Sequence, residues 1–197
     1  MSISPCIANS SNIPAPVICP APIPPICQKV CDLTVPNQIS YLNEMIRNFI
    51  YLCDSVLGEL QSARHMELLD MNTSNSSLVG YFISNMSHTK NHDVARRVDH
   101  LQREAEKINQ AVQLSGLPIG HYLNVYVNGN DIRTAENAEH SYFYDWFTSG
   151  AYSSMGSANT AAQIQTTISR VEQLRWQACS LQSSLLPRRP VNGEFFP

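Results

Sequence analysis

The chain has 197 residues, enough for one domain of ordinary size with appendages but not for two independent cores. Charged residues make up 15% of it, and 13 basic against 16 acidic side chains give a formal net charge of −3, which excludes the strongly basic composition of a general nucleic-acid binder. The sequence shows neither an apolar run long enough to span a membrane nor a basic segment leading into an apolar one at its start, so we predict no membrane span and no secretory signal peptide.

Prolines are concentrated near the N-terminus, where eight of the twelve lie before residue 37. Each proline fixes φ and removes a backbone donor, so residues 14–25 favour polyproline II geometry. Only Lys29 and Asp32 are charged in the first 38 residues. We therefore predict that residues 1–38 form an extended apolar arm, which docks in a groove of its own body or of a neighbouring subunit. The alternative is a disordered terminus without a partner. The predicted contact residues of the arm are Ile13, Val17, Ile18, Ile23 and Ile26.

Three stretches of the chain repeat apolar residues at alternating spacings of three and four, which is typical of a helix seam in a coiled coil or bundle. They run over residues 39–63, 94–112 and 164–185. Asn159 or Thr160 is the predicted N-terminal cap of the last helix. The sequence therefore predicts a mainly α fold, a bundle of three long helices with coiled-coil-like seams.

The second predicted helix has an uncertain start and a charged outer face. Residues 78–86 could belong to it or to a shorter preceding helix. Asp93 precedes Arg97 by four residues, and Asp99 precedes Arg103 by four, which is the favourable order for ion pairs on a helix surface. Such pairs indicate a solvated face and contribute little stability.

A short segment between the second and third helices has the pattern of a β-strand. Residues 123–127 alternate between aliphatic and other side chains, and Asn128-Gly129 follows. Alternation that ends in Asn-Gly is typical of a β-hairpin, so we predict a small β-hairpin near residues 121–132. The body of the fold is predicted to span residues 39–186, and residues 187–197 form a C-terminal tail.

The segment 142–147 contains five aromatic residues in six positions. Aromatic side chains dominate the energetic hot spots of protein interfaces, so one interpretation is an assembly surface. The other is a plug that closes one end of the bundle, although five adjacent aromatics cannot all face inward. The predicted contact residues here are Tyr142, Phe143, Trp146 and Phe147.

The cysteines have no spacing that identifies a metal site. Because we predict no signal peptide, free or metal-bound thiols are the default, although disulfides are possible in a particle that leaves the cell. Cys27 and Cys31 are four residues apart, as are His88 and His92, but the customary two-residue cysteine spacing of a zinc site is missing. We predict no metal site and no cofactor. The cysteines considered for disulfide formation are Cys6, Cys19, Cys27, Cys31, Cys53 and Cys179.

No motif of a known catalytic type stands in the sequence: there is no serine elbow, no zincin helix and no glycine-rich phosphate loop. His140 lies near Asp145 in the sequence, but one such pair is a weak signal. We therefore predict a protein that is not an enzyme and has no catalytic residues.

The favoured function is that of a non-enzymatic structural or assembly protein that links neighbouring subunits through its N-terminal arm. By analogy with small helical proteins that carry apolar arms, the specific setting is a minor capsid protein or another virion component, located in the virion or the cytoplasm. Its partners would be other protein subunits of a large, oligomeric assembly. The low charge supports this, because interface cores are depleted in Lys and Glu. The alternative is a nucleic-acid-associated helical coat or adaptor that uses Arg96, Arg97, Arg188 and Arg189.

Overall fold

The computed structural model describes residues 35–72, 78–117, 119–138 and 155–185. Several sequence predictions fall outside these ranges. They concern residues 1–34 of the arm, the aromatic segment 142–147, the tail 187–197, the His140 and Asp145 pair, and the cysteines Cys6, Cys19, Cys27 and Cys31.

The described residues form three long helices and one short helix. Helix α1 spans Val35–Asn72, α2 spans Leu78–Ser115, and α4 spans Met155–Leu185. The short helix α3 covers residues 129–138. The prediction of a mainly helical bundle is confirmed, and within the described ranges no residue belongs to a β-strand. No described helix is both long enough and apolar enough to cross a membrane.

The core of the bundle is built from the three predicted seams. Residues that return to one helix face at spacings of three and four are buried, with Ile39 half-buried at the start of α1. This burial of apolar surface is the main stabilising contribution of the fold. The buried seam residues are Leu42, Ile46, Phe49, Cys53, Val56, Leu60 and Ala63 on α1; Val94, Val98, Leu101, Ala105, Ile108 and Val112 on α2; and Ile164, Ile168, Val171, Leu174, Ala178, Leu181 and Leu185 on α4.

Helix α1 packs against both α2 and α4 and runs antiparallel to each. Towards α4, Asp54 accepts hydrogen bonds from Arg175, and Asn43 accepts one from Gln182. Towards α2, Glu59 pairs with Arg97 at 3.0 Å. We name the two ends of the bundle by the helix termini that they contain. The proximal end holds the first residue of α1 and the last residues of α2 and α4, and the distal end holds the opposite termini.

The helix boundaries differ in two places from those predicted. Helix α1 begins at Val35, so residues 35–38 belong to the helix, and Pro36 lies in its first turn, where a missing N–H breaks no intrahelical bond. Helix α4 begins at Met155, ahead of the predicted cap at Asn159. The open question about residues 78–86 is also answered, because they form the start of α2.

The predicted β-hairpin near residues 121–132 is wrong. Residues 119–128 belong to neither a helix nor a strand, and side chains of α2 and α4 hydrogen-bond to their backbone. Leu123 exchanges two hydrogen bonds with the amide of Asn109 on α2, at 2.9 and 2.8 Å. The N–H of Asn124 donates to Gln177 on α4, and the N–H of Val127 donates to Gln102 on α2, both at 3.0 Å. The segment therefore bridges α2 and α4.

The Asn-Gly pair begins a helix instead of turning a hairpin. Asn128 caps α3, since its side-chain oxygen accepts the N–H of Asn130 at 3.0 Å and its carbonyl accepts the N–H of Asp131 at 3.2 Å. A Cβ atom at Gly129 would lie 2.0 Å from the carbonyl oxygen of Ala95. Glycine is therefore required here because the backbones of α2 and α3 approach closely, and not because of a left-handed turn.

The ion pairs predicted along α2 are replaced by others. Asp99 does not pair along its own helix with Arg103 but contacts α3, where it accepts the N–H of Gly129 at 2.8 Å and pairs with Arg133 at 2.7 Å. A carboxylate that binds both a helix N-terminus and an arginine fixes the position of that helix. Sequence separation could not indicate this partner, because Asp99 and Arg133 are 34 residues apart.

Asn109→Ala is expected to lower the free energy of unfolding by about 2 kcal/mol, because the buried backbone of Leu123 loses both of its hydrogen-bond partners. Urea denaturation measures the loss, and amide hydrogen exchange at Leu123 should become faster. Gln113→Ala, at an exposed position of the same helix, is the matched control. Equal stability of the two variants would show that the Asn109 amide does not hold the bridging segment.

Candidate functional site

A cluster of buried polar side chains joins α1, α2 and α3 near the distal end of the bundle. It consists of Glu67 on α1, Ser87 and Asn91 on α2, and Glu136 on α3, each of them at most 3% exposed. Two carboxyl groups are rarely buried together in a core unless polar groups compensate them. We refer to these four residues as the buried polar cluster.

Asn91 is the central hydrogen-bond donor of the buried polar cluster. Its amide NH₂ donates to Oε1 of Glu67 and to Oε2 of Glu136, so a single amide bridges the two carboxyl groups. The hydroxyl of Ser87 donates a second hydrogen bond to Oε1 of Glu67. Oε2 of Glu67 and Oδ1 of Asn91 are buried without a hydrogen-bond partner among the described residues. The cluster therefore still has acceptor capacity, and a proton on Glu67 is one way to reduce the cost of its burial.

Burial raises the pKa of Glu67 from 4.5 to about 7. The hydrogen bonds from Ser87 and Asn91 act in the opposite direction, while the nearby carboxylates of Glu136 and Asp70 add to the rise. This carboxyl group therefore titrates near neutral pH, although it lies inside the bundle.

His88 and His92 lie at the edge of the buried polar cluster. Nδ1 of His88 is 2.9 Å from Oε1 of Glu136, and the two imidazole rings meet edge to face with their centroids 4.6 Å apart. The structure therefore places His88 beside the Glu136 carboxylate. In the described part of the chain, no group of three or more His, Cys, Asp or Glu side chains is arranged to hold a metal ion.

The buried polar cluster is absent from the sequence predictions, although the sequence carries a signal for it. The seam of α1 continues beyond Ala63 to Glu67 and Asp70 at spacings of four and three, and the seam of α2 extends back from Val94 to Asn91 and Ser87 at spacings of three and four. Polar residues at seam positions fix the register of packed helices at a cost in stability. An apolar pattern that becomes polar on two helices at the same end is therefore a sign of such a cluster.

A surface patch of large apolar side chains lies at the distal end, beyond the buried polar cluster. Val79, Phe82 and Met86 occupy one face of the first turns of α2 and are 62%, 58% and 61% exposed. Leu69, near the end of α1, is also exposed. We call these four residues the distal patch. Apolar residues that cluster on a surface mark contact sites more often than apolar residues that are scattered singly.

Exposed aromatic side chains also occur on the sides of the bundle. Tyr51 on α1 and Trp176 on α4 are 65% and 69% exposed. Tyr122 and Tyr126 are exposed on the bridging segment. This segment lies close to Trp176, because the N–H of Asn124 donates a hydrogen bond to Gln177, the next residue of α4. Tyrosine and tryptophan are the residues that interfaces favour most, so these positions are further candidate contact sites.

A groove of about 250 Å³ lies between α1 and α2 in the proximal half of the bundle. Apolar side chains of Met45, Phe49, Leu52 and Ile108 line it, and His100, Glu104 and Asn48 contribute polar atoms. Met45 and Leu52 are half-buried, so the groove exposes apolar surface along α1.

Two of the six cysteines belong to the described residues, and both are free thiols. Cys53 is buried in the seam of α1, and Cys179 is half-buried on α4. Burial raises the pKa of the Cys53 thiol to about 12, with a smaller contribution from Asp54. A thiol with so high a pKa is a poor nucleophile, so Cys53 acts as a packing residue. Neither Cys53 nor Cys179 forms a disulfide in the structure, and their pairing with the cysteines of the arm stays a prediction for the oxidised protein.

Two of the four arginines proposed for nucleic-acid contact are paired with carboxylates. Arg96 donates to Asp93, and Arg97 lies 3.0 Å from Glu59 of α1. These acidic partners reduce the positive potential that a phosphate would meet on this face. Arg188 and Arg189 lie outside the described residues.

Comparisons of this chain with protein-family models, with curated proteins and with solved structures found no match.

Proposed function

We propose that this protein is a non-enzymatic structural protein that joins other protein subunits in a large assembly, with a minor capsid protein or another virion component as the specific setting. The observation that carries the proposal is the distal patch, where Val79, Phe82 and Met86 lie on one face of α2 and are each more than half exposed. Exposure of such an apolar surface to water is unfavourable, and its burial under a partner lowers the free energy.

Two further features support this proposal. The chain has few charged residues, as expected of a surface that is partly buried between subunits. The exposed Tyr51, Tyr126 and Trp176 add aromatic side chains of the kind that dominate interface energetics. In this proposal the arm residues Ile13, Val17 and Ile18 contact a neighbouring subunit, and the aromatic segment 142–147 forms a second contact.

A nucleic-acid-associated role is the alternative, and the structure gives it less support. Arg96 and Arg97 already have carboxylate partners, so phosphate binding would have to displace Asp93 and Glu59. The dependence of partner binding on salt concentration distinguishes the two functions. Phosphate contacts predict a steep loss of affinity as salt rises, whereas apolar contacts predict little change or tighter binding.

Deletion of residues 1–34 is expected to leave the helices intact and to abolish incorporation into the assembly. The helical content should survive because α1 begins at Val35, and circular dichroism measures it. Co-sedimentation with the assembly measures incorporation. Deletion of residues 1–12 is the matched control, since it retains every predicted contact residue of the arm from Ile13 onward. A protein without residues 1–34 that incorporates as well as this control would show that the arm does not link subunits.

A further inference from the structure

We propose that residues 23–27 of the arm dock in the groove between α1 and α2 of their own chain. The segment reads Ile23-Pro24-Pro25-Ile26-Cys27 and carries no charge. The inference goes beyond the proposed function and does not rest on it, because docking of this kind takes place within a single chain. It leaves residues 1–22 to reach a neighbouring subunit.

The chain length between the groove and the start of α1 permits this docking. At the helical rise per residue, Met45 lies about 15 Å along α1 from Val35, and Leu52 lies about 25 Å along it. An extended proline-rich chain advances about 3.1 Å per residue, so Ile26 reaches about 28 Å from Val35 and Ile23 about 37 Å. A chain that reverses at Val35 and runs back along α1 therefore covers the groove, with a few residues to spare for the reversal.

The periodicity of the arm matches that of the groove. In the proposed docked state the segment adopts polyproline II, whose three residues per turn would place Ile23 and Ile26 on one face about 9 Å apart. Met45 and Leu52 lie on one face of α1, two helical turns and about 10 Å apart. The two isoleucines can therefore contact the two groove residues at the same time, with Ile26 beside Met45 and Ile23 beside Leu52.

The uncharged, apolar character of residues 23–27 matches the apolar part of the groove lining. Met45, Phe49, Leu52 and Ile108 supply the apolar part of the groove lining, and Asn48, His100 and Glu104 supply its polar part. A proline-rich segment loses little conformational entropy when it docks, because its conformation is largely fixed beforehand. Lys29 and Asp32, the two charges of the arm, lie between this segment and Val35, and so outside the stretch that contacts the groove.

Methyl NMR of the full chain tests this proposal. With labelled methionine and isoleucine methyl groups, we expect a nuclear Overhauser effect from the Met45 methyl to Ile26, and its loss in the Ile23→Asp/Ile26→Asp variant. The Met45 resonance should shift in that variant, while the Met86 methyl at the distal end stays unchanged. Ile13→Asp/Ile18→Asp is the matched control in the same arm and should leave Met45 as it is.

Two results would overturn the proposal. An unchanged Met45 resonance in the Ile23→Asp/Ile26→Asp variant would show that this segment does not occupy the groove. Effects seen only between differently labelled chains in a mixed sample would show that the groove holds the arm of a neighbour. The proposed assembly function could survive either result, because its own test is the incorporation of the protein without residues 1–34.

Discussion

Gly129→Ala is expected to destabilise the protein by about 3 kcal/mol, in the upper part of the range for overpacking a well-packed site. The new Cβ would lie 2.0 Å from the carbonyl oxygen of Ala95 and 2.8 Å from Oδ1 of Asp99. The first of these atoms belongs to the backbone of α2 and cannot move without bending that helix. We therefore expect α3 to shift away from α2, which also weakens the hydrogen bond from Gly129 to Asp99.

Gly58→Ala is the matched control for this prediction. Gly58 lies within α1, and nothing lies within 4 Å of a Cβ placed there. The same substitution should stabilise the protein by up to about 1 kcal/mol, because alanine has the higher helix propensity. Urea denaturation of both variants measures the two effects, which should have opposite signs. A Gly129→Ala variant as stable as the native protein would contradict the close approach of α2 and α3.

Glu67→Gln is expected to remove much of the pH dependence of stability between pH 4.5 and 7. Because the pKa of Glu67 is about 7 in the folded protein and 4.5 is its ordinary value, the folded state binds more protons in this range. The stabilisation from the protonated carboxyl is complete below pH 4.5 and is lost as pH rises through 7. This difference between the pKa of Glu67 in the folded and unfolded protein corresponds to a change of about 3 kcal/mol in the free energy of unfolding.

Glutamine keeps the oxygen that accepts hydrogen bonds from Ser87 and Asn91 but cannot ionise. The Glu67→Gln variant should therefore match the native protein at pH 4 and be more stable than it at pH 8. Denaturant titrations at a series of pH values measure this difference. Glu44→Gln, at an exposed position of the same helix, should leave the pH profile unchanged. A native profile that is flat between pH 4.5 and 7 would contradict the raised pKa.

The sequence predicted the long helices well because their pattern is local. A spacing of three and four brings Leu42, Val98 or Leu174 to the inner face of its own helix, whatever the partner is. The prediction for residues 121–132 was wrong because an alternating apolar pattern followed by Asn-Gly forms a strand and a turn only where a second strand is available for pairing. Here the side chains of Asn109, Gln102 and Gln177 take the place of that strand.

The buried polar cluster could be predicted only in part. The seam register shows that Glu67 and Asn91 face the core, so their burial could be predicted from the sequence. Their link to Glu136 could not, because Glu136 is 45 residues beyond Asn91 and lies on a helix whose first residues were predicted to form a hairpin. The contact depends on how α3 packs, and that packing is set by Gly129 and Asp99.

The mass and composition of the native complex test the central claim most directly. Purification of the protein from its source without denaturation, followed by native mass spectrometry, measures both. An assembly protein should be recovered in a complex many times larger than its own 22.0 kDa, together with other protein chains. Recovery as a single chain of 22.0 kDa without partners would contradict the proposed function.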